Sequence, residues 1–325
     1  MRPAGPAATL LIGATVIAVL PVLLPNEYYL TVLIVAGLNG IIALGLNLLM
    51  GYAGQISLGH AAFYGLAAYT TGILTATYHW PVPAGMAAAV VLVLAVSALI
   101  AVPTLRLKGH YLAMGTLGFG LIVYIVLNEA TGLTGGPSGL GGIPRLSLAG
   151  RPVTSDLAYY YVVWAAVLLC FAVAGNLVRS RLGRALRAIH TSETAAAALG
   201  IDTERTKIGV FVLSACMAAV AGTLYAHYVR FVSPGTFGFA ASVQFVTMVV
   251  LGGMGSLWGG LAGAVVLTVL PEVLRALEDY DIVVYGLLLI LCMMYLPGGL
   301  VEGVDRLWRL VTARRLRLAP PEDPA

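Results

Sequence analysis

The chain has 325 residues, of which 60% are hydrophobic and only 10% charged, and its mean hydropathy is +0.94. Soluble domains carry about 25% charged residues, so a chain this apolar has too few polar atoms to cover a surface facing water. About ten membrane spans of ~20 residues consume roughly 200 positions, which leaves connecting loops and tails but no separate soluble catalytic domain.

The expected fold is therefore all-α: a polytopic helical membrane protein with about ten spans. Apolar runs between polar or Pro/Gly breaks predict them at 7–24, 30–50, 57–77, 84–103, 110–128, 157–177, 208–229, 240–254, 257–275 and 282–300. The first run follows Met1-Arg2 like a signal peptide, but no small-x-small cleavage site precedes Asn26-Glu27, so it is read as a span. From a cytoplasmic N-terminus, the inside segments hold Arg2, Arg106, Lys108, Arg179, Arg181, Arg184, Arg187, Arg205, Lys207, Arg306, Arg309, Arg314, Arg315 and Arg317, against Arg145, Arg151, Arg230 and Arg275 outside. That cytoplasmic excess of cations orients helical membrane proteins and places both termini inside. Because the net charge of +4 has this distribution, it reads as orientation and not as a nucleic-acid surface. Residues 1–304 form the membrane domain and 305–325 a cytoplasmic tail.

Two loops are longer than connectors. The outer one, 129–156, is a string of turn formers with little capacity for regular structure. The inner one, 178–207, is basic and then alanine-rich, and Thr191 or Ser192 can cap a short cytoplasmic helix that ends at Gly200. A weak internal echo links Gly51-Tyr-Ala-Gly54-Gln-Ile-Ser-Leu-Gly59 with Gly252-Gly-Met-Gly255-Ser-Leu-Trp-Gly259. Paired glycine interruptions mark either broken helices inside the membrane or two tight cytoplasmic turns. Gly259 and Gly263 have the spacing of close helix packing.

The chemistry of an enzyme is missing. Neither Lys108 nor Lys207 follows a glycine as a P-loop lysine would, and no His-Glu-x-x-His or Gly-x-Ser-x-Gly run exists. Cys170, Cys216 and Cys292 sit in three different apolar runs, without metal or redox spacing. No cofactor or metal is expected in this chain. Ionisable groups within spans are few, namely His60, His227 and Glu272, with Glu129 at a membrane edge. Such scarcity argues against a proton- or sodium-coupled carrier. The polar groups expected to face a bundle interior, and so to line a translocation path or bond a neighbouring helix, are Asn39, Asn47, Gln55, Ser57, His60 and Gln244. Asn39 and Asn47, eight apart, share one helix face.

These motifs carry a family resemblance. Gly45-Leu-Asn47-Leu-Leu-Met-Gly51-Tyr-Ala-Gly54-Gln55-Ile-Ser57-Leu-Gly59-His60-Ala-Ala-Phe63-Tyr-Gly65 resembles the signature of LivM-type permeases, the inner-membrane subunits of branched-chain amino acid ABC importers. Leu105-Arg-Leu-Lys-Gly109-His-Tyr111, Thr134-Gly-Gly-Pro137, Gly183-Arg-Ala-Leu-Arg187, Ala198-Leu-Gly200 and Gly252-Gly-Met-Gly255 follow in family order, over roughly residues 37–300. The resemblance implies a permease that pairs with a second, related permease, docks two cytoplasmic ATPases and receives solute from an extracytoplasmic binding protein. ATP is then hydrolysed by the partners. Urea or short amides are the alternative cargo of such permeases, and a stand-alone carrier or channel is the rival from another class. In the general ABC-permease coupling motif an acidic residue precedes two alanines, with a glycine four positions beyond them. Here Thr194 replaces the acid before Ala195-Ala196 and Gly200, and Glu193 stands one position earlier. Arg184, Arg187, Glu193, Thr194, Ala195, Ala196 and Gly200 are the expected ATPase-coupling residues.

Overall fold

The computed structural model describes residues 27–107, 109–148, 151–274 and 298–303, with scattered positions in 13–21 and 286–294. The spans expected at 7–24 and 282–300, both termini and Cys292 lie largely or wholly outside the described residues.

Among the described residues, ten helices of six residues or more organise the chain: α1 Glu27–Asn47, α2 His60–Ala76, α3 Val82–Thr104, α4 His110–Glu129, α5 Asp156–Arg179, α6 Arg181–Thr191, α7 Glu193–Ala198, α8 Thr203–Val229, α9 Phe239–Gly252 and α10 Leu257–Leu274. Eight of them coincide with expected spans, and the 178–207 segment, expected to hold one short helix ending at Gly200, holds two, α6 and α7. Among the described residues, seven helical segments are long and apolar enough to cross a membrane, and the protein is a multi-pass integral membrane protein. At 17 residues, α2 falls short of that length.

α1 is apolar all round, and a helix of that kind belongs inside a bundle. It packs against α5, α8, α9 and α10, and Ile34, Leu38, Ile41, Ile42 and Leu44 are almost wholly buried. α2 lies against α3 and α8, with Phe63, Ala67 and Tyr69 inside. α3 to α5 form the rim. α5 buries Tyr159, Tyr160, Val163, Trp164, Val167, Cys170 and Ala174 at helical spacing, and its polar tips are satisfied as they go inward. The Tyr159 hydroxyl donates to the Leu224 carbonyl at 2.5 Å and the Trp164 indole to Leu33 at 3.2 Å. Val91, Leu99 and Ile122 stand exposed on α3 and α4, where acyl chains cover them in a bilayer.

The chain alternates between two ends of the bundle. One end gathers the start of the 53–59 break, residues 105–107, α6, α7 and the α9–α10 turn. The other gathers 77–81, 130–155 and 230–238. Among the described residues, the 129–156 loop is more ordered than its composition predicts. It contains a β ribbon, β1 Ser147–Leu148 against β2 Arg151–Pro152, and Leu140 pairs with Val232. His227 Nδ1 donates to the Pro144 carbonyl at 2.8 Å while its Nε2 meets the Thr71 hydroxyl at 2.9 Å, and Arg230 Nε reaches Ile143 at 3.2 Å. Turn-forming residues accept this path because His227 of α8 and Arg230 just beyond it satisfy two of their carbonyls, a tertiary effect that local sequence does not carry.

Candidate functional site

At the end of the bundle that holds α6 and α7 the two glycine motifs meet. α1 runs on through a π-helical turn, Leu48–Tyr52, and the chain then leaves helical geometry until Gly59. The Asn47 amide, just before that turn, accepts from the Gly255 N–H at 2.9 Å and donates to the Ser256 carbonyl at 2.6 Å. It therefore bridges the first break to the second. The two turns approach this closely because Gly51 and Gly255 have no side chains: a Cβ on Gly51 would lie 2.2 Å from both Asn47 Oδ1 and the Gly255 nitrogen. Ser256 in turn caps α10 through the Gly259 N–H at 3.2 Å.

The first break descends into the bundle. His60, which opens α2, meets the Ser57 hydroxyl at 3.0 Å through Nδ1 and the Ser214 hydroxyl at 2.6 Å through Nε2. Ser214 lies seven residues along α8 from Lys207, about 10 Å of helix rise. α2 is short because it starts at that depth and not at the bundle end. Thr116 of α4 accepts from the Leu58 N–H at 3.0 Å, and Ser242 of α9 from the Ala61 N–H at 3.3 Å. Among the described residues, every buried side-chain nitrogen and oxygen has a partner.

The polar residues singled out in the sequence are thus distributed over several contacts. Asn39 donates to Thr268 at 2.9 Å and Asn47 bonds the turn before α10, so both face α10 as their spacing predicts. Ser57 and His60 form one cluster, and Gln55 bonds the Ala53 carbonyl at 3.2 Å. Gln244 differs from them: it is exposed on α9 two positions beyond buried Ser242, on the same face as the Thr247 hydroxyl.

α6 and α7 form an elbow. Ser180 caps α6, which buries Gly183, Leu186 and Ile189, and Ser192 caps α7 by accepting from the Ala195 N–H. α7 ends in a Schellman turn, with Ile201 N–H to Ala196 at 3.1 Å, Gly200 N–H to Ala197 at 2.9 Å and Gly200 at φ +81°. Arg184, Thr194, Ala195 and Gly200 are exposed, whereas Ala196 is buried. Arg187 donates to the Val178 carbonyl at 3.3 Å and thereby closes the end of α5.

Three residues join the elbow to the membrane helices or extend from it, and their contacts are invisible to local sequence rules. His190 donates from Nδ1 to the Gly51 carbonyl at 3.0 Å. Lys207 meets Glu193 at 2.7 Å and the Leu105 carbonyl at 3.3 Å. Leu199, 82% exposed, projects at the tip of α7.

The family model described as branched-chain amino acid transport system / permease component matches residues 28–293. The high-affinity branched-chain amino acid transport system permease protein LivM of Escherichia coli is 37% identical over 290 residues, covering 80% of this chain and 67% of the relative. The corresponding LivH protein of Salmonella typhimurium is 28% identical over 278 residues, covering 80% of this chain and 90% of the relative. A probable LivM of Methanocaldococcus jannaschii is 25% identical over 225 residues, 63% of this chain and 64% of the relative. No solved structure matches. With the family model spanning most of its length, the chain belongs to the branched-chain amino acid transport permease family.

Proposed function

We propose that this chain is a translocating subunit of an ATP-driven importer of leucine, isoleucine and valine in the cell inner membrane. It carries no catalytic constellation of its own, and its energy comes from two cytoplasmic ATPases that hydrolyse ATP. Relatives named LivM and LivH belong to one named transport system of Escherichia coli, and this chain resembles both, which supports pairing with a second, related permease. An extracytoplasmic binding protein delivers the solute to the 130–155 side. The observation that carries the reading is the capped α6–α7 elbow, bonded at His190 and Lys207 to the ends of the membrane helices. Tagging the chain in its native host tests it. Stoichiometric co-purification of ATPase and a second permease, with leucine uptake lost when the ATPase is deleted, is the expected result. Uptake that persists without any ATPase overturns it in favour of a stand-alone carrier, and a cognate binding protein that takes urea but ignores leucine overturns the cargo.

The path is assigned to the exposed face of α9. What supports this is Gln244: facing lipid, its amide has no partner, at a cost of several kcal/mol. A water-filled passage between two permeases removes that cost. Gln244→Leu is expected to lower leucine uptake by roughly tenfold, about 1.4 kcal/mol of barrier, while ATPase co-purification is unchanged. Unaltered uptake in proteoliposomes returns the α9 face to lipid.

A further inference from the structure

We infer that Glu193, the acidic residue of the coupling segment, is turned away from the ATPase and works instead as the inner half of a tie through Lys207 that makes the elbow move as one body with α8 and the α3–α4 turn. The inference rests on the importer reading above and deepens it by assigning how force leaves α7.

Lys207 is the hub. Its side chain is 4% exposed, while that of Glu193 is 27% exposed, and the ammonium spans Glu193 Oε1 at 2.7 Å and the Leu105 carbonyl at 3.3 Å. Three elements therefore converge on one nitrogen: α7 through Glu193, α8 through Lys207 itself, and the end of α3 through Leu105. Burying an ammonium is costly unless its partners are fixed, and removing one partner leaves the other charge uncompensated. The neighbouring ion pair is a contrast. Arg205 and Asp202 meet at 3.2 Å but are 90% and 54% exposed, and such surface pairs hold little. A push on the exposed face of α7 has few other routes inward, because Thr194, Ala195, Ala197 and Ala198 all face outward and only Ala196 of the alanine run is buried. With the tie intact, displacement of α7 drags α8, which carries Ser214 and so the partner of His60. Without it α7 tilts on its own.

The test uses the complete importer in proteoliposomes with its binding protein and leucine, reading ATPase co-purification, ATP hydrolysis and leucine moved per ATP hydrolysed. Glu193→Gln and Lys207→Gln are each expected to retain stoichiometric ATPase while leucine per ATP falls roughly fivefold or more, the range of an energetic coupling between sites. The double variant should be no worse than either single, since the two residues act as one unit. Lys207→Arg, which keeps the charge and donors, should stay close to the unaltered protein and shows that the position tolerates replacement. Unchanged leucine per ATP in Glu193→Gln overturns the tie. Loss of ATPase co-purification in Glu193→Gln also overturns it, because Glu193 is then an ATPase contact. Failure of the importer reading looks different: the unaltered chain itself then moves leucine without ATP.

Discussion

Gly51→Val abolishes transport, leaving less than about 1% of uptake, the loss expected when close to 3 kcal/mol of packing is forfeited at a moving contact. The Cβ alone already lands 2.2 Å from Asn47 Oδ1 and 2.2 Å from the Gly255 nitrogen. Neither neighbour can step aside cheaply. Gly255 is held by its N–H on Asn47, Ser256 by its carbonyl on the same amide, and the Gly51 carbonyl by His190. Separating the two glycine turns therefore breaks hydrogen bonds worth about 1 kcal/mol each on top of the steric cost. It also detaches the elbow from α1. Gly209→Val is the matched control, since a side chain there meets nothing within 4 Å. Uptake by the two variants in vesicles, with equal amounts in the membrane by immunoblot, gives the comparison. Equal uptake by both would mean that the two glycine turns part freely in the working protein.

What the sequence makes legible follows from the range of the forces involved. Spans can be read because every residue of a membrane helix meets the same solvent, so composition in a single window suffices; α1, α3, α4, α5, α8, α9 and α10 match their apolar runs within a few residues. Ser192 as the cap of α7 is likewise local, as is the shared face of Asn39 and Asn47. The partners across that face are not local. Hydropathy cannot separate a break inside the membrane from a turn at its surface, and only the contact of His60 with Ser214 shows how deep α2 begins. The echo between the two glycine motifs is visible in the sequence, but their mutual contact, bridged by Asn47, joins residues more than 200 positions apart. Glu193 and Lys207 are fourteen residues apart with a helix end, a turn and a new helix between them, so no periodicity relates them. In the outer loop, glycine and proline predict irregularity correctly but say nothing of whether His227 and Arg230 will fix the irregular path.

Leu199→Asp is expected to detach the ATPase while the permease itself stays folded. On its outward face α7 offers only Thr194 and small alanines, and then one large apolar side chain, 82% exposed, at its tip. Its position is fixed by the Schellman turn, in which Gly200 at φ +81° lets the chain reverse and leaves Leu199 as the last residue before the turn. A rigid, narrow ridge with a leucine at its end fits a cleft that accepts a small-residue helix and encloses one aliphatic knob. Burying a leucine side chain is worth about 1.5–3 kcal/mol, and a carboxylate in its place adds a desolvation cost, so the affinity for the ATPase should fall by roughly 100-fold or more. Because Leu199 makes so little contact within its own chain, thermal stability of the isolated permease should move by less than about 0.5 kcal/mol, the usual range for surface substitutions. Leu199→Met keeps the knob and should bind normally. Ala196→Asp loses ATPase binding for a different reason: Ala196 is 2% exposed, so a charge there unseats α7 and lowers permease stability together with binding. Measuring ATPase affinity and permease melting in parallel separates the two. A Leu199→Asp chain that still holds its ATPase at full affinity would remove α7's tip from the docking surface and shift it to the exposed face of α6 around Arg184.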